Sequence, residues 1–141
     1  MVFTKKAALR QLLFVLFLFA LLIPVAIWDS DAQVKVTFND TAVIIKSDQL
    51  KMTIDYSLIE SAELAPMGDR GTDIGEDVHD DGLVRTGLWS NADWGEYHIC
   101  ADLDTSVCVV VHLHDGRTFV FSRKNDTATE EDFNTLQLHL Q

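Results

Sequence analysis

Two cysteines and three histidines in the second half of the chain are the residue types best suited to metal or redox chemistry. Cys100 and Cys108 are surrounded by His98, His112 and His114. Thiolate sulfur and imidazole nitrogen are ligands that Zn²⁺ prefers, so one interpretation is a zinc site. The spacing matches no zinc-binding motif, and no carboxylate is placed to orient the histidines, which favours solvated histidines on a strand. We therefore expect neither a metal nor a cofactor.

The same cysteines define a candidate disulfide. They lie symmetrically about Asp104. If the chain reverses there, Cys100 and Cys108 face each other on neighbouring strands, on the side away from Val109, at a separation that a disulfide can span. In an oxidising compartment the pair would close, and otherwise both are small side chains on a half-covered face. The sequence leaves both states open.

An acidic, glycine-rich stretch is the second candidate for ion chemistry. The segment GDRGTDIGEDVHDDG holds four of the seven glycines in the chain. Carboxylates on such a backbone can bind Ca²⁺, but the ligand alternation of the helix-loop-helix calcium motif is missing. We predict a flexible acidic linker over residues 65–88, with a calcium-dependent adhesion module as an alternative function.

Motifs for catalysis are missing from the sequence. There is no nucleophile elbow around a serine, no glycine-rich phosphate loop and no helical histidine-glutamate pair. We expect a protein that is not an enzyme. The alternative is a secreted or membrane-bound hydrolase that uses Asp and His residues near the acidic linker.

Seven short apolar segments with alternating polarity predict the strands that position these residues. They read VKVTF, AVIIK, LKMTI, IESAEL, EYHICADL, VCVVVHL and RTFVFS. Asn, Asp and Ser between the first three predict an antiparallel meander. Before the last strand, a three-residue loop with Gly116 in the left-handed conformation would bury Phe119 and Phe121.

The C-terminal segment TEEDFNTLQLHLQ predicts a helix. Thr129 is the expected N-cap, with Asp132 three residues further on. Phe133, Leu136 and Leu140 fall on one stripe, which must lie against an apolar surface. We expect this surface to be the open mouth or the edge of a curved sheet.

The part of the chain from Val34 to Leu140 resembles the bacterial pleckstrin-homology domains. The resemblance is carried by GLWSNADWGEYHIC, by RTFVFSRKND before the terminal helix, and by IDYSLIESAEL, which is similar to a tyrosine-containing link into the fourth strand. It implies a mainly β domain, a seven-stranded antiparallel PH-like partly open barrel with a C-terminal capping helix, often tied to a membrane helix and without shared catalytic residues.

The resemblance does not carry a phosphoinositide site to this chain. Eukaryotic pleckstrin-homology domains often bind inositol phosphates through basic residues between their first two strands. Here that hairpin offers only Lys35 and Lys46 against Asp40. A phosphoinositide partner is therefore not expected.

The aromatic residues of the matched segment have two interpretations. In the favoured one, Trp89, Trp94 and Tyr97 fill the barrel and cover its rim, Gly95 permits a bend, and Arg85 binds an acidic side chain of the domain. In the second, the aromatic residues and Arg85 line a groove that binds a peptide or a sugar.

The N-terminal segment decides where the domain resides. Residues 11–28 carry no charge, and as a helix they rise about 27 Å, which nearly spans a hydrocarbon core of about 30 Å. Lys5, Lys6 and Arg10 precede the segment, whereas Asp29 and Asp31 follow it. The positive-inside tendency then puts residues 1–10 in the cytoplasm, with 29–33 as a linker and 34–141 as an extracytoplasmic domain.

A cleaved secretory signal is the alternative to this membrane anchor. The signal could be cleaved after Ala26 or after Ala32. Pro24 fits the first site poorly, and the acidic neighbours of Ser30 fit the second site poorly. We expect a retained single-pass anchor in the cell membrane.

The charge of the chain narrows the partners. From Asp29 onward there are 22 acidic and 8 basic residues, a formal charge of −14. Such a domain repels nucleic acid and anionic lipids at long range. The sequence therefore predicts a membrane-anchored binding or assembly module that engages another protein, by strand addition at an open edge or through the aromatic rim.

Overall fold

The computed structural model describes residues 8–16, 33–68, 71–75 and 78–141. The chain divides into two compact units, Met1–Ala32 and Gln33–Gln141. In the first unit, residues 8–16 are helical (α1). The rest of the expected membrane segment, 17–28, and most of the linker lie outside the described residues. Among the described residues, no helix combines the length and the apolarity that crossing a bilayer requires.

The second unit consists of ten strands, a single 3-10 turn and a C-terminal helix among the described residues. In chain order they are β1 (Lys35–Phe38), β2 (Ala42–Lys46), β3 (Lys51–Asp55), the 3-10 turn (Tyr56–Leu58), β4 (Ile59–Pro66), β5 (Thr72–Asp73), β6 (His79–Asp80), β7 (Val84–Asn91), β8 (Gly95–Asp102), β9 (Val107–Leu113), β10 (Thr118–Ser122) and α2 (Asp126–Leu140). All seven predicted strands are present, and the mainly β class is confirmed.

The first three strands form an antiparallel sheet in the order β1-β2-β3, which confirms the predicted meander. Its first turn is held by Asn39, whose side-chain oxygen accepts hydrogen bonds from the backbone amides of Thr41 and Ala42 at 2.9 and 2.7 Å. In the second turn the Ser47 hydroxyl accepts from the Leu50 amide at 3.2 Å. Short polar side chains that bond the local backbone favour such reversals.

The larger sheet has the order β4-β9-β10-β8-β7-β5, and β6 also pairs with β7. Strands β8 and β10 are parallel, so the expected all-antiparallel arrangement is wrong, and the described strands form two sheets without a closed barrel. The reason is that β10 is buried at every position. A strand covered on both faces needs a central place, which it finds between β8 and β9.

The hairpin of β9 and β10 has the predicted register. Phe119 lies opposite Val111 and Phe121 opposite Val109. Gly116 has a φ of +91°, in the left-handed region that glycine tolerates best. The three-residue loop with Gly116 is therefore confirmed, and it turns both Phe side chains into the core.

The core lies on both faces of the larger sheet. On one face Val109, Val111 and Phe121 pack against Ile45 of the small sheet and Leu136 of the helix. The other face carries a second cluster of buried side chains, which are Trp89, Tyr97, Ile99, Ala101, Cys108, Val110 and Val120. Residues of the connection from β4 to β7 pack against this second cluster.

The predicted linker over 65–88 is wrong at its C-terminal end, where β7 begins at Val84 and pairs along its whole length with β8. The short strands β5 and β6 also fall inside it, whereas residues 69–70 and 76–77 lie outside the described residues. Arg85 and Gly87 conceal the strand, because a charge and a glycine interrupt its apolar pattern. In the fold Arg85 is buried and pairs with Asp80, whose side chain is partly exposed.

Helix α2 begins three residues before the predicted cap. Asn125 is the N-cap, and its side-chain oxygen accepts from the Ala128 amide at 2.9 Å. The prediction of Thr129 as cap is wrong because Thr129 is buried in the first turn, where its hydroxyl accepts from the Arg123 amide at 3.1 Å. The predicted stripe is confirmed, since Leu136 is fully buried and Phe133 packs on the same core.

Candidate functional site

The predicted aromatic residues come together on one face of the larger sheet. Trp89 lies opposite Tyr97 in the pairing of β7 with β8, and the Trp94 ring meets the Tyr97 ring edge-on at 5.1 Å. Tyr97 is 1% exposed and Trp89 8%, so Trp94 alone of the three is partly exposed. Gly95, with a φ of +67°, makes the bend into β8. The group is a packed cluster, and it leaves little surface for a peptide or a sugar.

Arg85 belongs to the same cluster and binds an acidic side chain, as expected. Its Nε and Nη2 donate to Asp80 Oδ2 at 3.0 and 2.8 Å. The guanidinium carbon lies 4.0 Å above the Trp89 ring, within the range of a cation-π contact. The indole nitrogen of Trp89 in turn donates to the Thr86 carbonyl at 3.0 Å. These contacts give Arg85 a structural role.

The two cysteines are separated, so the candidate disulfide is wrong. Both are free thiols. Strand β10 lies between β8 and β9, and Cys100 packs in the cluster facing the small sheet whereas Cys108 packs in the opposite one. Burial raises the pKa of Cys100 to about 11 and that of Cys108 to about 12. Both therefore stay protonated near neutral pH, which makes them poor nucleophiles and poor metal ligands.

The histidines do not converge either. His98 stacks on Phe119 with ring centroids 4.9 Å apart, and desolvation by burial lowers its pKa. His112 lies on the other face of the sheet, where its Nδ1 is 3.2 Å from the Thr118 hydroxyl. In the described part of the chain no three His, Cys, Asp or Glu side chains are close enough to hold a metal ion.

A small polar cleft of about 110 Å³ lies between the second turn of the small sheet and the start of β7. It is lined by Gln33, Ser47, Asp48, Gln49, His79, Asp81 and Val84. The His79 and Asp81 side chains are 3.6 Å apart. Backbone amides of Val84 and Leu83 hydrogen-bond Asp81 and hold its pKa below the ordinary value. Asp81 and Ser47 both make turn hydrogen bonds, which gives these two side chains a structural role.

The edges of the small sheet differ in how well their inner side chains are covered. Within the described part of the chain, β1 and β3 each pair with β2 alone. On β3, Met52 and Ile54 are buried, at 5% and 1% exposure. On β1, Val36 and Phe38 are partly exposed although they point toward the same core. The edge at β1 is therefore the more open one.

The register of the small sheet also aligns three lysines, one from each strand. Lys35 lies opposite Lys46, and Lys46 lies opposite Lys51. All three are exposed. They lie on the outer face, because the next row, Val36, Ile45 and Met52, points into the core. We call these residues the lysine row.

Sequence reasoning missed the lysine row because its members are spread over 17 residues of the chain. The signal was present in the predicted meander, since the two turns at Asn39 and Ser47 set the register that aligns them. Directly opposed like charges destabilise a sheet by about 0.5 kcal/mol per pair. The row is therefore not explained by the stability of the fold.

Searches against protein-family models, curated proteins and solved structures found no significant match to the chain.

Proposed function

We propose that this chain is a non-catalytic, membrane-anchored module that binds an extended segment of a protein partner at the edge of β1. The observation that carries the proposal is the partial exposure of Val36 and Phe38 on a strand with one paired neighbour among the described strands. Unpaired backbone groups at an edge can bond an incoming strand. Val36 and the part of Phe38 that is not covered by its stacking on His139, at 5.7 Å, provide apolar contacts for it.

The other edges of the two sheets are less suited to strand addition than β1. The inner side chains of β3 are covered, as described above. Strand β4, at one edge of the larger sheet, is contacted by α2, and the Gln137 amide donates to the Ala62 carbonyl at 3.1 Å. Strand β5, near the other edge, has two residues. An added strand would therefore bury the most new apolar surface beside β1.

The partner segment expected here is uncharged or basic. Between Gln33 and the C-terminus acidic residues outnumber basic ones, so an acidic segment would be repelled. Alternate apolar side chains would let one face of the segment extend the inner row of Val36 and Phe38. Such a segment is the chemistry that this edge supports.

The membrane attachment rests on residues 11–28, whose apolar length suits a single span. The resulting address is the cell membrane, with the domain outside the cytoplasm. A distant relation to the PH-like family is part of the proposal. It is supported by the meander of β1 to β3 and by the C-terminal helix on the core, whereas the parallel pair of β8 and β10 departs from it.

The test is site-specific photocrosslinking in the full-length protein within its own membrane. A photoreactive amino acid is placed at Thr37 of β1 or, as a matched control, at Thr53 of β3. Both residues are exposed and lie opposite Ile44 of β2. We expect one discrete adduct from position 37, mapped to an extended segment of the partner, and none from position 53. Equal adducts from both positions, or none from position 37, would contradict strand addition at β1.

A further inference from the structure

We propose that the lysine row, Lys35, Lys46 and Lys51, rests on the anionic headgroups of the bilayer that holds the chain and so orients the domain at the membrane surface. The inference rests on the membrane attachment proposed above. It concerns the outer face of the small sheet, not the edge that is proposed to bind a partner.

The geometry concentrates positive charge on a small area. Neighbouring strands are about 4.8 Å apart, so the three Cα positions span about 10 Å. The next row on the same face, Thr37, Ile44 and Thr53, carries no charge. Asp55 lies at the far end of the face, and Asp48 lies in the turn that follows Lys46.

The other described cations of the domain with known contacts serve the fold. Arg85 pairs with Asp80, Arg117 with Asp115, and Arg123 with Asp132. Among the described residues, no carboxylate lies within ion-pair distance of a lysine of the row. The row therefore keeps its charge available for an external anion.

Protection against aggregation explains only part of the row. Lysines on edge strands discourage pairing with other chains, which suits Lys35 and Lys51. Lys46 lies on the central strand, where both neighbours are already present. A cation at that position, opposed by two others, favours a ligand with several negative charges.

A bilayer surface fits this requirement better than a soluble polyanion. Lys35 follows Trp28, the end of the apolar segment, by seven residues, and a chain of that length can reach at most about 25 Å. A flat surface meets one face of the domain, whereas a polyanion in solution also meets the repulsion of its acidic remainder. Attraction of lysines to anionic headgroups acts within about one Debye length, which this tether permits.

The experiment measures lysine labelling in the full-length protein reconstituted into vesicles. One set of vesicles is phosphatidylcholine, and the other contains 30% phosphatidylglycerol, roughly the anionic content that gives a strong surface potential. A water-soluble amine-reactive ester is applied, and modification is followed by mass spectrometry. Lys124 is exposed and lies outside the small sheet, so it serves as the internal control.

Anionic lipid should slow the labelling of the three lysines about fivefold, leave Lys124 unchanged, and lose its effect in about 1 M salt. Lys46→Gln should reduce the protection of Lys35 and Lys51, whereas Lys46→Arg should retain it. Equal labelling in both lipids would overturn the inference. Protection by inorganic phosphate in phosphatidylcholine vesicles would overturn it in favour of a soluble anion.

Failure of the lysine row and failure of the anchor give different results. A chain that an alkaline carbonate wash removes from the vesicles is not anchored, which overturns the membrane attachment and the inference together. If the chain stays in the vesicles but its lysines are labelled equally in both lipids, only the proposed role of the lysine row is overturned.

Discussion

The small sheet and the larger sheet use their charged residues in opposite ways. In the larger sheet and its helix, three arginines each bind a carboxylate of the same domain. In the small sheet, three lysines share one row, with no carboxylate in ion-pair distance among the described residues. Of the arginines, Arg85 and Arg123 are the ones with a buried or partly buried ion pair, whereas Arg117 and Asp115 form an exposed pair that adds little stability. Substitutions in the two sheets should therefore affect stability differently.

The sharpest test of this contrast is Arg85→Ala. The Arg85 side chain is 7% exposed, and its loss leaves Asp80 without this partner and uncovers the Trp89 ring. Loss of a buried side chain that packs on Trp89 and pairs with the partly exposed Asp80 is expected to lower the free energy of unfolding by about 3 kcal/mol. Urea unfolding followed by tryptophan fluorescence measures this change. A loss below about 1 kcal/mol would contradict the structural role of Arg85.

The pair of Arg123 and Asp132 gives the next largest effect. Arg123 donates to the two Asp132 oxygens at 2.8 and 3.2 Å, and Asp132 is 6% exposed. Asp132→Asn keeps the shape but removes the charge, so we expect a loss of about 2 kcal/mol in urea unfolding. Glu131→Gln is the control, because Glu131 is next to Asp132 in the sequence but its side chain is exposed. Similar losses of unfolding free energy in Asp132→Asn and Glu131→Gln would contradict a specific contribution of the ion pair.

Asp126 provides a test by pH. Its carboxylate accepts from the amides of Ser106 and Val107, at 2.7 and 3.3 Å, and the Ser106 contacts in particular hold its pKa below the ordinary value of 3.8. A carboxyl with a lowered pKa stabilises the fold above pH 3.8, and this contribution is lost as pH falls through the folded-state pKa. The melting temperature of Asp126→Asn should therefore lie below that of the parent at pH 7, and the gap should narrow as the pH falls below 3.8. A constant gap would contradict this.

The smallest expected effect is that of Lys46→Gln. Removing the central charge of the lysine row removes its repulsion by Lys35 and Lys51. The free energy of unfolding should therefore stay constant or rise by about 0.5 kcal/mol. Chemical unfolding at low salt measures this, and added salt should reduce the difference. A loss comparable to that of Arg85→Ala would mean that the two sheets do not differ in this respect.

Sequence reasoning succeeded where the signal is local. The loop at Gly116 followed from the burial of Phe119 and Phe121, and the structure has that register. It failed at β7, because Arg85 and Gly87 interrupt the apolar pattern, and the contacts that accommodate the Arg85 charge, with Asp80 and Trp89, form only when β6 pairs with β7. It also failed for the cysteines, whose expected pairing assumed that consecutive strands are neighbours.

The sequence by itself determined the mainly β class, seven of the strands, the C-terminal helix and the acidic character of the domain. Alternating polarity and turn residues are properties of neighbouring residues, so they can be read without the fold. Only the tertiary structure decided the strand order, the parallel pair of β8 and β10, the separation of the cysteines and the alignment of the lysine row. These depend on which surfaces meet in the core, and β10 is buried on both faces, so local pattern cannot select its neighbours.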